Sequence, residues 1–218
     1  MIEKTVTYKL LSFDELSEDQ KEKVLDKYRE REVDVLDSED ILYHSGIDQL
    51  TEETGFINAE WHCNINYVQG RGACFDCTGF DINKLLEGYF MCPINDELVK
   101  MIDSGIIALR IARPDASFAW HYTHENCRYF MFEYDLDEVM QEGMNQNPIE
   151  FIYSAEEVDG ALESMEEYIE DKRHALCIKA CKDLTALYEL YTSDEFLATV
   201  FSDNDTYFNE QTLEIEEI

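Results

Sequence analysis

Residues 154 to 171 read Ser154-Ala155-Glu156-Glu157-Val158-Asp159-Gly160-Ala161-Leu162-Glu163-Ser164-Met165-Glu166-Glu167-Tyr168-Ile169-Glu170-Asp171. Ser154 with Glu157 three residues later is a capping box, which supplies partners to the orphan amides at a helix start. Val158, Leu162, Met165 and Ile169 then recur at intervals of three and four, the apolar stripe of an amphipathic helix. Glu156, Asp159, Glu163, Glu166 and Glu170 step the same way on another face, and Glu157, Glu167 and Asp171 complete a run of carboxylates that contains no base. The spacing predicts a helix with apolar residues inward and acids outward. Its periodicity persists to about Tyr191, with only Gly160 as an interruption, which at 1.5 Å per residue gives roughly 55 Å unless the helix breaks near Asp171.

From Glu156 to Asp171 the axis rises about 22 Å, so the charges fall roughly one per 3 Å, close to the roughly 3.4 Å spacing along one DNA strand. A run of charge on an amphipathic helix is usually its solvated face. Such faces mix signs, however, because Glu and Lys four apart support a helix whereas like charges weaken it by a few tenths of a kcal/mol. The whole chain shares this bias: 49 Asp and Glu face 17 Lys and Arg in 218 residues, a formal net charge of -32. Residues 32 to 70 hold no Lys or Arg, and neither does the chain from Asp183 onward, where Asp194 and Glu195 stand. Binding to phosphates takes clustered bases, so nucleic acid is excluded as a direct ligand. Two readings of the acidity remain, solubility alone or docking into a basic groove that normally holds nucleic acid. The second makes Glu156, Glu157, Asp159, Glu163, Glu166, Glu167, Glu170, Asp171, Asp194 and Glu195 the candidate partner-binding residues. It also predicts that reversing Glu163, Glu166, Glu167 and Glu170 together weakens binding without unfolding the helix.

Toward the N-terminus, Val6, Tyr8 and Leu10 alternate as a strand, and Ser17-Glu18-Asp19-Gln20 caps a helix to about Arg31. A second helix is expected from Asp37 or Ser38 to Thr54, ended by Gly55. Ala59 to Tyr67 and Ala73 to Cys77 describe a hairpin turned at Gln69-Gly70-Arg71-Gly72. Short helices follow at Ile82 to Leu86 and Asn95 to Ile102. Ile106 to Ile111, Phe118 to Thr123 and Arg128 to Tyr134 read as strands, the last two joined by a tight turn at His124-Glu125-Asn126. Thr192 to Glu195 caps a last helix, and Thr212 to Ile215 adds an edge strand. The fold class is α+β, with a mostly antiparallel sheet of about six strands covered by helices. Residues 1–150 form the sheet core, and 151–218 the long acidic helix and C-terminal segment packed with it as one domain.

Seven cysteines are an odd, scattered number that fits buried thiols in a reducing compartment. Cys74 and Cys77 with His121, His124 and Cys127 are the only set with zinc-ligand chemistry, but their spacing matches no zinc motif, and on a strand Cys74 and Cys77 point to opposite faces. A Cys74 nucleophile paired with His121 or His124 has no local signature, and no phosphate loop is present. No catalytic residue and no cofactor is therefore assigned. Trp120, Tyr122, Tyr129, Phe130 and Phe132 offer a second surface, an aromatic hairpin able to bind a protein. The N-terminus lacks the character of a signal peptide and no apolar run reaches about 18 residues, so a soluble cytoplasmic protein without a membrane partner is expected.

Phe13-Asp14-Glu15-Leu16-Ser17 leading to Lys27-Tyr28-Arg29-Glu30, Gln69-Gly70-Arg71-Gly72-Ala73-Cys74-Phe75, and Tyr188-Glu189-Leu190-Tyr191-Thr192-Ser193-Asp194-Glu195 occur in this order across most of the chain. Together they resemble an uncharacterised family of acidic proteins of tailed phages and prophages, sometimes labelled antitoxin-like. That family usually has Gly-Asp-Gly where this chain has Gly70-Arg71-Gly72, and it lacks a cysteine at the position of Cys77. The resemblance implies a phage accessory protein acting inside a bacterium, a setting in which acidic DNA mimics inhibit restriction enzymes and CRISPR effectors. The expected partner is a basic nucleic-acid-binding host defence protein. An antitoxin-like neutraliser working through the aromatic hairpin is the alternative.

Overall fold

Ser17 and Gln20 cap the first long helix reciprocally, Gln20 N donating to Ser17 Oγ at 3.4 Å and Ser17 N to Gln20 Oε1 at 3.0 Å. The computed structural model describes residues 9–35, 45–64, 72–113, 125–148 and 151–216. Its elements are β1 (Leu10–Ser12), α1 (Glu18–Val35), α2 (Ile47–Thr54), β2 (Phe56–Ile57), β3 (Glu60–Asn64), β4 (Gly72–Asp76), β5 (Gly79–Phe80), α3 (Ile82–Leu85) and α4 (Pro93–Asp103). They continue as β6 (Ala108–Ala112), β7 (Tyr129–Glu133), α5 (Leu136–Gln146), α6 (Ala155–Tyr191), α7 (Asp194–Asp203), β8 (Tyr207–Asn209) and β9 (Ile215–Glu216). The fold class is α+β. It divides into two units, Met1–Ile41 with Thr185–Ile218, and Leu42–Leu184. The chain passes between the two units after residues 41 and 184.

In the first unit β1, β8 and β9 form an antiparallel sheet in the order β1-β8-β9. Phe13, Val24, Tyr28, Leu197, Phe201 and Phe208 pack beneath it, with the Phe201 and Phe208 rings edge to face at 5.2 Å. Tyr28 ties α1 to the last strand, since its hydroxyl accepts from Ile215 N at 2.9 Å and donates to Glu214 Oε2 at 3.3 Å. Ser193 caps α7 by accepting from Phe196 N at 3.2 Å.

The second unit holds three separate antiparallel pairs, β2-β5, β3-β4 and β6-β7. The single sheet of about six strands is therefore corrected to several small sheets, four of them among the described residues. The strands span two to five residues each, and at β7 helix side chains occupy the edge that a further strand would need. Phe56, Phe75, Phe80 and Phe130 form the aromatic centre, with Phe56 to Phe75 at 5.1 Å and Phe80 to Phe130 at 5.7 Å. Gly55 ends α2 with φ of 111°, and a Cβ there would lie 2.8 Å from the Asp81 carbonyl oxygen, so only glycine fits.

Val6, Tyr8, the expected start of the second helix at Asp37 or Ser38, the Gln69-Gly70-Arg71 turn and the strand Phe118 to Thr123 lie outside the described residues. At the expected tight turn, Glu125–Cys127 form a 3-10 turn, and β7 pairs with β6, Phe130 opposite Ile111. The helix α5 was not anticipated. Asp135 caps it, accepting from Asp137 N at 2.9 Å and Glu138 N at 3.2 Å. α6 runs unbroken for 37 residues, through both Gly160 and Asp171.

Candidate functional site

The capping box starts α6 as expected, with Ser154 N donating to Glu157 Oε2 at 2.8 Å and Glu157 N to Ser154 Oγ at 3.2 Å. Val158, Leu162, Met165 and Ile169 are buried. The acids divide into two sets, and the division corrects the expectation of one outward stripe. Asp159, Glu166 and Glu170 turn toward the β6-β7 hairpin. Glu166 Oε2 accepts from Phe132 N at 2.8 Å, and Glu170 Oε2 from Phe130 N at 2.7 Å. Four residues of helix rise about 6 Å and two residues of strand about 6.6 Å, so carboxylates at i and i+4 meet alternate amides of an edge strand. The pair closes an edge that would otherwise be open to another chain. Asp159 accepts from the Tyr134 hydroxyl, which burial and this carboxylate hold well above the usual range.

Glu170 has a second task. Arg173, at 1% exposure, grips it through Nε at 2.8 Å and Nη2 at 2.7 Å, and donates from Nη1 to Cys177 Sγ at 3.3 Å. Burial works against the guanidinium charge, but Glu170 outweighs it and holds Arg173 charged. Reversal of Glu166 or Glu170 therefore attacks the fold, so a variant reversed at Glu163, Glu166, Glu167 and Glu170 together does not leave the structure intact, contrary to the expectation from the sequence.

Glu156, Glu163, Glu167 and Asp171 form the true outward set. All are exposed, and none hydrogen-bonds or ion-pairs with a described residue. With Glu157, exposed at the cap, five carboxylates cover about 22 Å of axis, roughly one per 4.5 Å, coarser than the roughly 3.4 Å of a DNA strand.

Asp194 and Glu195 belong to the first unit. There α1 and α7 border a groove of about 710 Å³ lined by Phe13, Leu25 and Ala198 and by acids that include Glu22, Asp26 and Glu195. Asp194 is committed to Arg29, whose Nη1 also donates to Asp26 Oδ1 at 2.8 Å and whose Nε donates to the Thr192 carbonyl at 3.1 Å. Glu195 is exposed.

A carboxylate that the sequence did not single out organises the β3-β4 hairpin. Asp76 receives Arg128 Nε at 2.6 Å and Nη2 at 3.2 Å, Arg113 Nη2 at 3.0 Å, and lies 3.2 Å from His62 Nε2. Burial opposes its ionisation, but the hydrogen bonds from Arg128 and Arg113 prevail and draw it down to about 2. Arg128 is 3% exposed. Register could have hinted at this only in part, since Asp76 and Arg128 are 52 residues apart.

Cys74 is fully buried on β4, Cys127 is buried, and Cys77 follows the strand end. Burial pushes the Cys74 and Cys77 thiols up to about 12, so neither supplies a thiolate near neutral pH. His121 and His124 lie outside the described residues. Among the described residues no group of three or more His, Cys, Asp or Glu is placed to hold a metal. Within the aromatic hairpin Phe130 and Phe132 are buried core, Tyr129 is partly exposed, and Trp120 and Tyr122 lie outside the described residues. No described helix is long and apolar enough to cross a membrane. No protein-family model matches this chain, and no curated protein and no solved structure matches it either.

Proposed function

We propose that the chain is a non-catalytic, phage-encoded inhibitor of a bacterial defence protein, of the anti-restriction or anti-CRISPR kind, acting in the host cytoplasm. It works as an acidic nucleic-acid mimic that occupies a basic DNA- or RNA-binding channel. The observation that supports this reading is the α6 ridge, where Glu156, Glu163, Glu167 and Asp171 are exposed without a cation among the described residues. Arginines of a channel would bind these carboxylates by charge-assisted hydrogen bonds, and the net charge of -32 would speed the encounter. The site residues of the proposal are accordingly Glu156, Glu163, Glu167 and Asp171, with Glu157 beside them. Asp159, Glu166 and Glu170 add to the field while their oxygens serve the fold.

The test is capture from bacterial lysates carrying defence systems, at low and high salt, with nuclease and with competing DNA. Capture of a nucleic-acid-binding protein that is lost with salt or excess DNA supports mimicry. A Glu163→Lys/Glu167→Lys/Asp171→Lys variant should then lose the partner while keeping its circular dichroism. Capture indifferent to salt and DNA would instead favour an antitoxin-like contact, and capture unaffected by the triple reversal would remove the ridge from the mechanism.

A further inference from the structure

On α1, Glu18, Glu22, Leu25, Asp26 and Arg29 recur at helical intervals that keep them on one face, and with Asp194, Glu195 and Ala198 of α7 they border the groove of about 710 Å³ in the first unit. From Glu18 to Arg29 the axis of α1 rises about 16 Å. Leu25 and Ala198 pack against the buried cluster of this unit yet stay only partly buried, so apolar surface is left within the groove. Six carboxylates and two cations line it as well. Lys21 Nζ pairs with Glu18 Oε1 at 3.2 Å, Lys23 Nζ with Asp19 Oδ2 at 2.6 Å, and Arg29 holds both Asp26 and Asp194. Glu22 and Glu195 are exposed and pair with no cation among the described residues. The acidity of the chain does not by itself force such a lining. In the second unit a cavity of about 440 Å³ is lined by Lys84, Lys172 and Lys179 against Glu53 and Glu87.

Arg29 also fastens the two walls together. Its Nη groups reach Asp26 on α1 and Asp194 on α7, and its Nε donates to the Thr192 carbonyl ahead of α7 at 3.1 Å. Walls already joined need little further ordering when a ligand binds. The lining assigns the kind of ligand. A metal ion does not suit it, because among the described residues no group of three or more His, Cys, Asp or Glu is placed to hold one. A small polycation would meet the carboxylates but carries no side chain to cover Leu25 and Ala198. We propose that this groove is a second docking site, and that its occupant is a basic amphipathic segment of another protein. Lys or Arg of the segment meets Glu22 and Glu195, while an apolar side chain covers Leu25 and Ala198. Charge draws the segment in, and the apolar contact selects it. The site goes beyond the α6 ridge and does not depend on it.

The test uses two fluorescein-labelled peptides of about eleven residues and equal arginine content, one with leucines between the arginines and one with serines there. Fluorescence anisotropy against the full chain is read at low and high salt. Wild type should bind the leucine peptide about tenfold more tightly, and the preference should persist in high salt while absolute affinity falls. Glu22→Gln/Glu195→Gln should bind the leucine peptide about fivefold less tightly at low salt, with the serine peptide, which meets acids all over the chain, nearly unchanged. Both residues are exposed, so the native circular dichroism should be retained. A benzophenone on the leucine peptide should cross-link within residues 13–29 or 194–198. Absence of a leucine preference, full leucine-peptide affinity in the double variant, or cross-links confined to other segments overturns the proposal. Displacement of the leucine peptide by spermine as readily as the serine peptide would make the groove a polycation site and overturn it too. Glu163→Lys/Glu167→Lys/Asp171→Lys should keep the leucine preference. Its loss there would move the preference to the ridge and overturn the groove, whereas failure of the ridge in lysate capture leaves the groove standing.

Discussion

Two faces of one helix carry the same residue type and do opposite things. Toward the hairpin, Glu166 and Glu170 accept from backbone amides of β7, and Glu170 also holds Arg173. Toward solvent, Glu163, Glu167 and Asp171 hold no described partner. The first face uses carboxylates where a sheet would use another strand. The second leaves them available for cations supplied by another molecule. A charge run on a helix therefore cannot be assigned as a whole, because one residue of offset moves a side chain 100° round the axis.

The comparison breaks most severely at Glu170→Ala. It removes the carboxylate that Arg173, at 1% exposure, grips through two nitrogens, and takes the acceptor from Phe130 N, for a loss of about 4 kcal/mol in urea denaturation. A loss below about 1 kcal/mol would mean that water supports Arg173 instead. Asp76 extends the inward class to β4, and Asp76→Asn should lose about 3 kcal/mol by uncoupling the buried Arg128. The sign with pH follows from its depressed value. The stabilisation is complete above the ordinary value of 3.8 and disappears as pH falls through about 2. Wild type and Asp76→Asn should thus differ at pH 5 and converge toward pH 2 in urea midpoints.

Glu166→Ala removes a single charge-assisted bond to Phe132 N and should lose about 2 kcal/mol. With that edge amide free, concentration-dependent association measured by light scattering is the accompanying result. Gly160→Ala goes the other way. The position is exposed inside an unbroken helix with nothing within 4 Å of a new Cβ, so thermal denaturation should show a gain of about 1 kcal/mol. Smallest of all, Glu163→Lys/Glu167→Lys/Asp171→Lys should shift stability by no more than about 0.5 kcal/mol, because these three exposed side chains make no hydrogen bond or ion pair with a described residue. A large loss there would place the outward acids in the fold after all.

Much of the local architecture was legible. The capping boxes at Ser17 and Ser154, the cap at Ser193 and the stop at Gly55 rest on interactions within a few residues, and the β3-β4 hairpin on pairs at most 16 residues apart, all of which a linear pattern records. The helix α5 escaped because Gly143 and the run of Asn and Gln after it dilute the apolar period, although Asp135 ahead of Leu136 and Val139 carried a usable cap signal. The number of sheets escaped for a different reason. Strand propensity marks segments, whereas pairing depends on which edge amides find partners first.

The sequence by itself determined the charge, the α+β class, the amphipathic helix and the apolar stripe that buries Val158, Leu162, Met165 and Ile169. Only the tertiary structure decided which acids are spent and which are free. Phe130 and Phe132 reach α6 across 40 and 34 residues of chain, and Asp76 meets Arg128 across 52. Such partners are set by packing between elements, where hydrogen-bond geometry is decided over a few ångströms that no local spacing encodes.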